Sequence, residues 1–167
     1  MPFLSFRYDY ASADQEIRRL IDKIEDKAAI HRVIGMALYD QTMDRFEREE
    51  SPDGNKWAPL APLTLSNRRQ PRGILRDSGE LMRSIHFEAS SSRTEVGTNL
   101  NHPKVWVMQR GATIKPRRFN SLRIPVSRGA EGYVFSKGVK IPARPYIGIG
   151  RQDEEVIREE LEGYFGD

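Results

Sequence analysis

Apolar residues in this chain recur first at a spacing of two, then at helical spacing, then at two again. Phe3, Leu4, Phe6, Tyr8 and Tyr10 alternate roughly with polar residues, which predicts a strand. Ser12 and Gln15 then form a capping-box pattern, in which two side chains accept the free backbone N–H groups of a helix start. Ile17, Leu20, Ile21 and Ile24 make one apolar helical face, and Ile30, Val33, Ile34, Ala37, Leu38 and Phe46 make a second periodic run. These runs predict either one bent helix over 13–49 or two helices, with Glu25-Asp26-Lys27 as the break. Pro52 and Gly54 stop the pattern.

Residues 52–75 contain Pro52, Pro59, Pro62 and Pro71 around one large side chain, Trp57, and read as a long loop with short turns. Asp77-Ser-Gly-Glu80 is a second capping-box pattern, opening a short helix through Leu81, Met82 and Ile85. His86–Ala89 and Thr94–Thr98 predict two strands around a serine-rich turn at 90–92. Val105-Trp106-Val107-Met108 suits a strand or a helix, ended by Gly111. Residues 112–121 read as a basic, irregular loop. Leu122–Val126 and Tyr133–Phe135 flank Gly129 and Gly132 and predict a hairpin. Pro142 and Pro145 impose an extended run. Val156, Ile157, Leu161, Tyr164 and Phe165 predict a closing amphipathic helix. The expected class is α+β: an antiparallel sheet with an N-terminal long helix or helix pair and a C-terminal amphipathic helix packed on it, in one domain over 1–167.

Composition narrows the function. Hydrophobic residues are 38% and charged residues 31%, so the core is thin and partners could complete the burial. There is no cysteine, which excludes disulfides and thiolate metal sites. The N-terminus lacks a signal-peptide pattern, and no stretch approaches the roughly 18–20 apolar residues of a membrane span, so a soluble cytoplasmic product is expected. His31, His86 and His102 lack metal-ligand spacing; His31 reads as a helix-surface or boundary residue. No nucleophile motif and no phosphate-binding glycine loop occurs. The expectation is a protein without cofactor or metal that is not an enzyme.

The net charge of +3 hides a sorted distribution. Residues 1–50 carry 8 Lys/Arg and 11 Asp/Glu, residues 51–150 carry 17 and 6, and residues 151–167 carry 2 and 7. The net charges are therefore −3, +11 and −5. Arg68, Arg69, Arg72 and Arg76 cluster, as do Lys115, Arg117, Arg118 and Arg123. Three readings stand side by side: neutralisation of nucleic-acid phosphates with Phe119 as a stacking candidate, a solvated basic surface, or pairing with the acidic ends of another copy. In the last, head-to-tail contacts would close a ring. Glu154, Glu155 and Glu159 lie in acidic runs that read as a solvated helix face, and the same carboxylates would meet the arginines across a subunit boundary.

Four ordered segments resemble one family: Pro52-Asp-Gly-Asn-Lys-Trp57-Ala-Pro-Leu60, Ile74-Leu-Arg-Asp-Ser-Gly79-Glu-Leu81-Met-Arg-Ser84-Ile85, Val96-Gly97-Thr98, and Ile141-Pro-Ala-Arg144-Pro145-Tyr146-Ile-Gly148. Together they resemble the phage virion morphogenesis family, which includes the tail completion proteins of Mu-like and P2-like tailed bacteriophages, over about residues 14–165. One segment departs. Relatives carry Tyr-Ala and His-Gln before a glycine, whereas here Val105-Trp106-Val107-Met108-Gln109-Arg110-Gly111 puts Met108 at the histidine position.

The resemblance implies a structural protein of the head–tail junction, acting as tail terminator or connector. It implies a homo-oligomeric ring, a hexamer being favoured because tails have six-fold symmetry and a dodecamer being the alternative. Its partners would be other neck and tail proteins, with phage DNA in the channel as a further contact and no membrane. It would sit in the host cytoplasm during assembly and then in the virion. The competing reading is a DNA-binding packaging or regulatory factor that uses the basic middle. Candidate interface or anchor residues are Trp57, Arg68, Arg69, Arg72, Trp106, Arg117, Arg118, Pro142, Arg144, Pro145, Tyr146, Glu154, Glu155 and Glu159. Trp57 reads as an anchor pinning the proline-rich loop onto the helices, or as an interface residue. Pro142 and Pro145 brace the segment carrying Arg144 and Tyr146, or merely lead into the last helix. Arg144 suits a bidentate pair with a carboxylate, within the chain or across a boundary.

Overall fold

The computed structural model describes residues 11–68, 73–129 and 131–166, so the aromatic alternation at 3–10 lies outside the described residues. Helices α1 (Ala11–Glu25) and α2 (Lys27–Arg48) are separate, and they part at the expected Glu25-Asp26-Lys27 stretch. Asp26 caps α2, its carboxylate accepting from Ala29 N at 3.0 Å. Backbone bonds from Asp26 N to Asp22 O and from Ile30 N to Asp26 O span the break, so the helices meet in a kink rather than a loop. Ser12 lies inside α1, not at the cap its capping-box pattern suggested.

Glu49 closes α2 in the left-handed conformation, φ 56°, and its side chain accepts from Ile74 N at 2.6 Å. Pro52-Asp53-Gly54 forms the expected turn, bonded from Gly54 N to Ser51 O, with Gly54 at φ 76°. The long proline-rich loop contains one short helix, α3 (Pro62–Ser66), with Pro62 in its first turn. Helix α4 (Glu80–Arg83) starts later than the Asp77–Glu80 pattern implied: Gly79 is its N-cap at φ 72°, and Glu80 N donates to Ser78 Oγ. Glu80, freed from a capping box, pairs with Lys104 Nζ at 2.6 Å.

Ile85 opens β1 (Ile85–Ala89), which pairs antiparallel with β2 (Thr94–Thr98) around the serine turn. Residues 105–108 resolve as helix, within α5 (Pro103–Arg110), whose first turn is capped by the His102 ring accepting from Lys104 N. The basic segment after it is not wholly irregular. Its first residues form β3 (Ala112–Ile114), which pairs with β6 (Val139–Ile141). Between them lies the hairpin of β4 (Leu122–Pro125) and β5 (Tyr133–Ser136). Helix α6 (Arg151–Gly166) ends the described chain. The α+β class holds, and among the described residues the antiparallel strands are divided among three two-stranded pairs rather than joined in one sheet.

Helix α2 is the central element, packed against the β1–β2 hairpin and against α6. The hairpin sits close because Gly35 has no Cβ; any side chain there would strike the Phe87 ring. Tyr39 meets Phe87 at 6.3 Å between ring centroids, and His31 Nδ1 shares a hydrogen bond with Thr94 Oγ1 at 3.0 Å. At the far end of α2, Phe46, Trp57, Ile74, Leu81, Ile85, Val105 and Tyr146 form the buried core. Each contributes on the order of 1.5–3 kcal/mol by leaving water. The core therefore joins α2, the proline-rich loop, α4, β1, α5 and the Pro142–Pro145 segment.

Candidate functional site

The residues of the resemblance converge on one place. The Trp57 ring packs edge-on against Phe46 at 5.8 Å, and its Nε1 donates to Pro145 O at 2.9 Å. Tyr146, 1% exposed, lies 5.5 Å from Phe46 on another side. Its hydroxyl is directed at Val105 O at 3.4 Å, and burial pushes the phenol up to about 12. Gln109 supplies the missing ladder for this extended strip: its Oε1 accepts from Tyr146 N at 3.0 Å and Ile147 N at 3.2 Å, and its Nε2 donates to Ile147 O at 2.6 Å. The backbone groups of Tyr146 and Ile147 are thereby satisfied by one amide side chain, while Pro145 O takes the Trp57 bond and Arg144 N donates to Met108 O.

Arg144 is also buried, and its partners correct the expectation of a carboxylate pair. Its Nε donates to Ala58 O at 2.9 Å and its Nη2 to Pro59 O at 3.0 Å. The loop's proline at 59 and the turn before it present carbonyls in the right place for a guanidinium fork. Burial pushes the Arg144 guanidinium down from its ordinary value. Arg144, Pro145 and Tyr146 thus tie the proline-rich loop to α5, and Pro142 lies beside them along the wall of a neighbouring groove.

A second fastening was not legible in the acidic run at 153–155. Asp153, read as part of a solvated helix face, is 1% exposed and forms a buried ion pair with Arg45 of α2. It also accepts from Gly150 N at 2.6 Å, and Arg45 Nη1 donates to Gly148 O at 3.0 Å. Gly150 is required at this junction because a Cβ there would collide with the Pro52 carbonyl oxygen. Asp three residues into a helix behind a Gly-x-Gly run was the available signal, since that position reaches back to the N-cap backbone.

The other charged candidates divide. Arg68 is committed within the chain, donating to Gly73 O at 2.7 Å and standing 3.7 Å from Asp77. Arg69 and Arg72 lie outside the described residues. Arg117 and Arg118 are exposed on the segment between β3 and β4, beside Phe119, which is 81% exposed. Glu154, Glu155 and Glu159 are exposed on α6, away from the basic segment in sequence and on a different element. Trp106 is exposed on α5, with the Arg110 guanidinium 4.9 Å from its ring centroid. A groove of about 890 Å³ is lined by α3 with its flanking prolines, by residues of β4 and β6, and by Met108 and Arg144. Its lining is mainly aliphatic, including Leu60, Leu63, Ile124, Val139 and Ile141.

Among the described residues no group of three or more His, Asp or Glu stands close enough to hold a metal ion, and no helix is long and apolar enough to cross a membrane. The arrangement offers braced surfaces for contact. The comparisons agree with that character. Residues 9–166 match the model of the phage virion morphogenesis family. The chain is 30% identical over 138 residues to a putative capsid assembly protein G of Escherichia phage Mu, covering 77% of this chain and 73% of that protein. No solved structure matches the chain. Motifs that are separate in sequence and share one core, together with a match over nearly the whole length, lead to a single conclusion: the chain belongs to the phage virion morphogenesis family, and its role is in the structure or assembly of a phage particle.

Proposed function

We propose that the protein is a neck component of a tailed phage, completing the tail or connecting it at the capsid side as a ring of identical copies. Six copies match the six-fold symmetry of tails, and twelve are the alternative. The observation that carries this reading is the family match over residues 9–166. Exposed carboxylates Glu154, Glu155 and Glu159 on α6 and exposed Arg117 and Arg118 on the β3–β4 segment support head-to-tail contact. Opposite potentials on two separate surfaces favour register and fast association, and a heterologous contact of this kind closes into a ring. The other neck and tail proteins would meet the remaining faces. In the infected cell the protein would pass from cytoplasm to virion, and it would act without catalysis.

The test is the mass of the purified chain in solution, together with electron microscopy of particles made without it. The expected outcome is an assembly of several 19.2 kDa copies and heads and tails that fail to join. A strictly monomeric chain that infectious particles can dispense with refutes the proposal. Reversing Arg117 and Arg118 to Glu should weaken assembly, and Glu154, Glu155 and Glu159 reversed to Lys should restore it.

A second reading has its own observation. The exposed Arg117, Arg118 and Phe119 combine cations with an aromatic face, the elements of a sequence-tolerant nucleic-acid contact. It requires duplex binding that weakens steeply with salt, and gel-shift titration at two salt concentrations decides it.

A further inference from the structure

Helix α1 stands largely free of the rest of the described chain: from Asp14 to Glu25 only Leu20 and Lys23 are half-buried, and the other residues are exposed. Gln15, Arg18, Arg19, Asp22 and Lys23 of α1 form a shallow cleft with Asp26 at the kink and Tyr164 of α6. Lys23 Nζ donates to Tyr164 O at 2.7 Å and stands 5.4 Å from that ring's centroid. The opposite side is the apolar stripe. Ile17 is 56% exposed, Ile21 48% and Ile24 57%, with Leu20 half-buried beside them. The capped kink at Asp26 fixes this orientation by carrying backbone bonds from α1 into α2. An amphipathic helix gains stability by burying its apolar side. Among the described residues that side has no cover.

We infer that the α1 stripe of one copy docks in the aliphatic groove between α3 and β6 of a second copy. No residue of α1 lines the groove of its own chain. Three properties match. The stripe is a convex row of branched aliphatics at i, i+3, i+4 and i+7, and the groove is concave and lined by Leu, Ile, Val and Pro. Charge is complementary: Glu16 and Glu25 border the stripe by helical geometry, with Asp14 beside them paired to Arg18 at 3.0 Å, while residues 112–141 around the groove hold seven Lys/Arg against one Glu. An α1–α1 pair would instead set those carboxylate borders against one another. The groove is also held open by the Arg144 bonds to Ala58 and Pro59, so little ordering is needed on contact. Because stripe and groove are different surfaces, each docked copy leaves one of each free, and the contact propagates head to tail. The inference rests on the ring reading and names its interface.

The chain has no cysteine, so Ile21→Cys and Leu63→Cys each introduce a single thiol. The two variants are mixed and treated with a short bis-maleimide. The expected result is a cross-linked dimer in the mixture that neither variant forms alone. Self-linking of the Ile21→Cys variant overturns the inference in favour of α1–α1 pairing. Wild-type mass is measured alongside: a ring without the mixed cross-link overturns this interface and leaves the ring, whereas a wild-type monomer without the cross-link removes both. As a second measurement, the exposed pair Ile17→Asp and Ile21→Asp should keep the helical circular dichroism of the monomer. Self-association should weaken at least about 10-fold, the effect of losing one buried aliphatic side chain. Unchanged ring mass in that variant also overturns the inference.

Discussion

Replacing Asp153 with alanine should do far more damage than replacing its neighbour Glu154. Asp153 is 1% exposed and faces the equally buried Arg45, while Glu154 points to solvent one residue further along α6. Removal of the Asp153 carboxylate leaves the Arg45 guanidinium buried with only the Gly148 carbonyl among its polar contacts described above, and strips the acceptor from Gly150 N. Breaking a buried ion pair in this way costs about 3–5 kcal/mol. Against a domain stability of about 5–15 kcal/mol, that is about a fifth or more of the total. With a urea slope near 2 kcal/mol/M, the unfolding midpoint should fall by roughly 2 M. Glu154→Ala should move it by less than about 0.3 M, in keeping with surface substitutions within about 0.5 kcal/mol. The assay is urea unfolding followed by circular dichroism and Trp57 fluorescence. A double variant, Arg45→Met with Asp153→Leu, should recover most of the loss, since an apolar pair of similar size removes the unpaired charge. Asp153→Ala unfolding within about 1 kcal/mol of wild type would refute the reasoning, because it would mean the charge is not sequestered.

Gly150→Ala should destabilise by about 3 kcal/mol or more, because the new Cβ meets the Pro52 carbonyl oxygen and two backbone segments must separate; thermal unfolding measures it, and an unchanged midpoint counts against the close approach. Stability should also fall at alkaline pH. Tyr146 titrates near 12 in the folded chain and near 10 when unfolded, so its contribution is complete below pH 10 and is lost as pH rises toward 12. The loss is about 2–3 kcal/mol, and Tyr146→Phe should flatten that part of the pH–stability profile.

Local features were legible because short-range chemistry dictates them. Glu25-Asp26-Lys27 marked the break because an Asp can cap the next helix. The serine turn at 90–92 and the Pro52–Gly54 turn followed from residues that suit tight turns. The hairpin flanking Gly129 and Gly132 and the closing helix followed from apolar period. The family motifs are separate segments in the sequence, and the structure brings Trp57, Arg144 and Tyr146 together around one core.

Tertiary structure decided the partners. Arg144 looked like half of a carboxylate pair, yet it found two carbonyls from a loop some 85 residues away, because a guanidinium takes any well-placed oxygen. The Gly-x-Gly run ahead of Asp153 could have marked its bond to the helix start, but not its ion pair, which exists only because α2 places Arg45 opposite. Strands β3 and β6 pair across an inserted hairpin, which no local period signals. The period of α1 revealed an apolar face but not that Ile17, Ile21 and Ile24 stay exposed while Lys23 fastens the helix to Tyr164 of α6. Sequence period reports which faces avoid water. Which neighbour covers each face depends on contacts between residues far apart in the chain, and among the described residues the α1 stripe finds none.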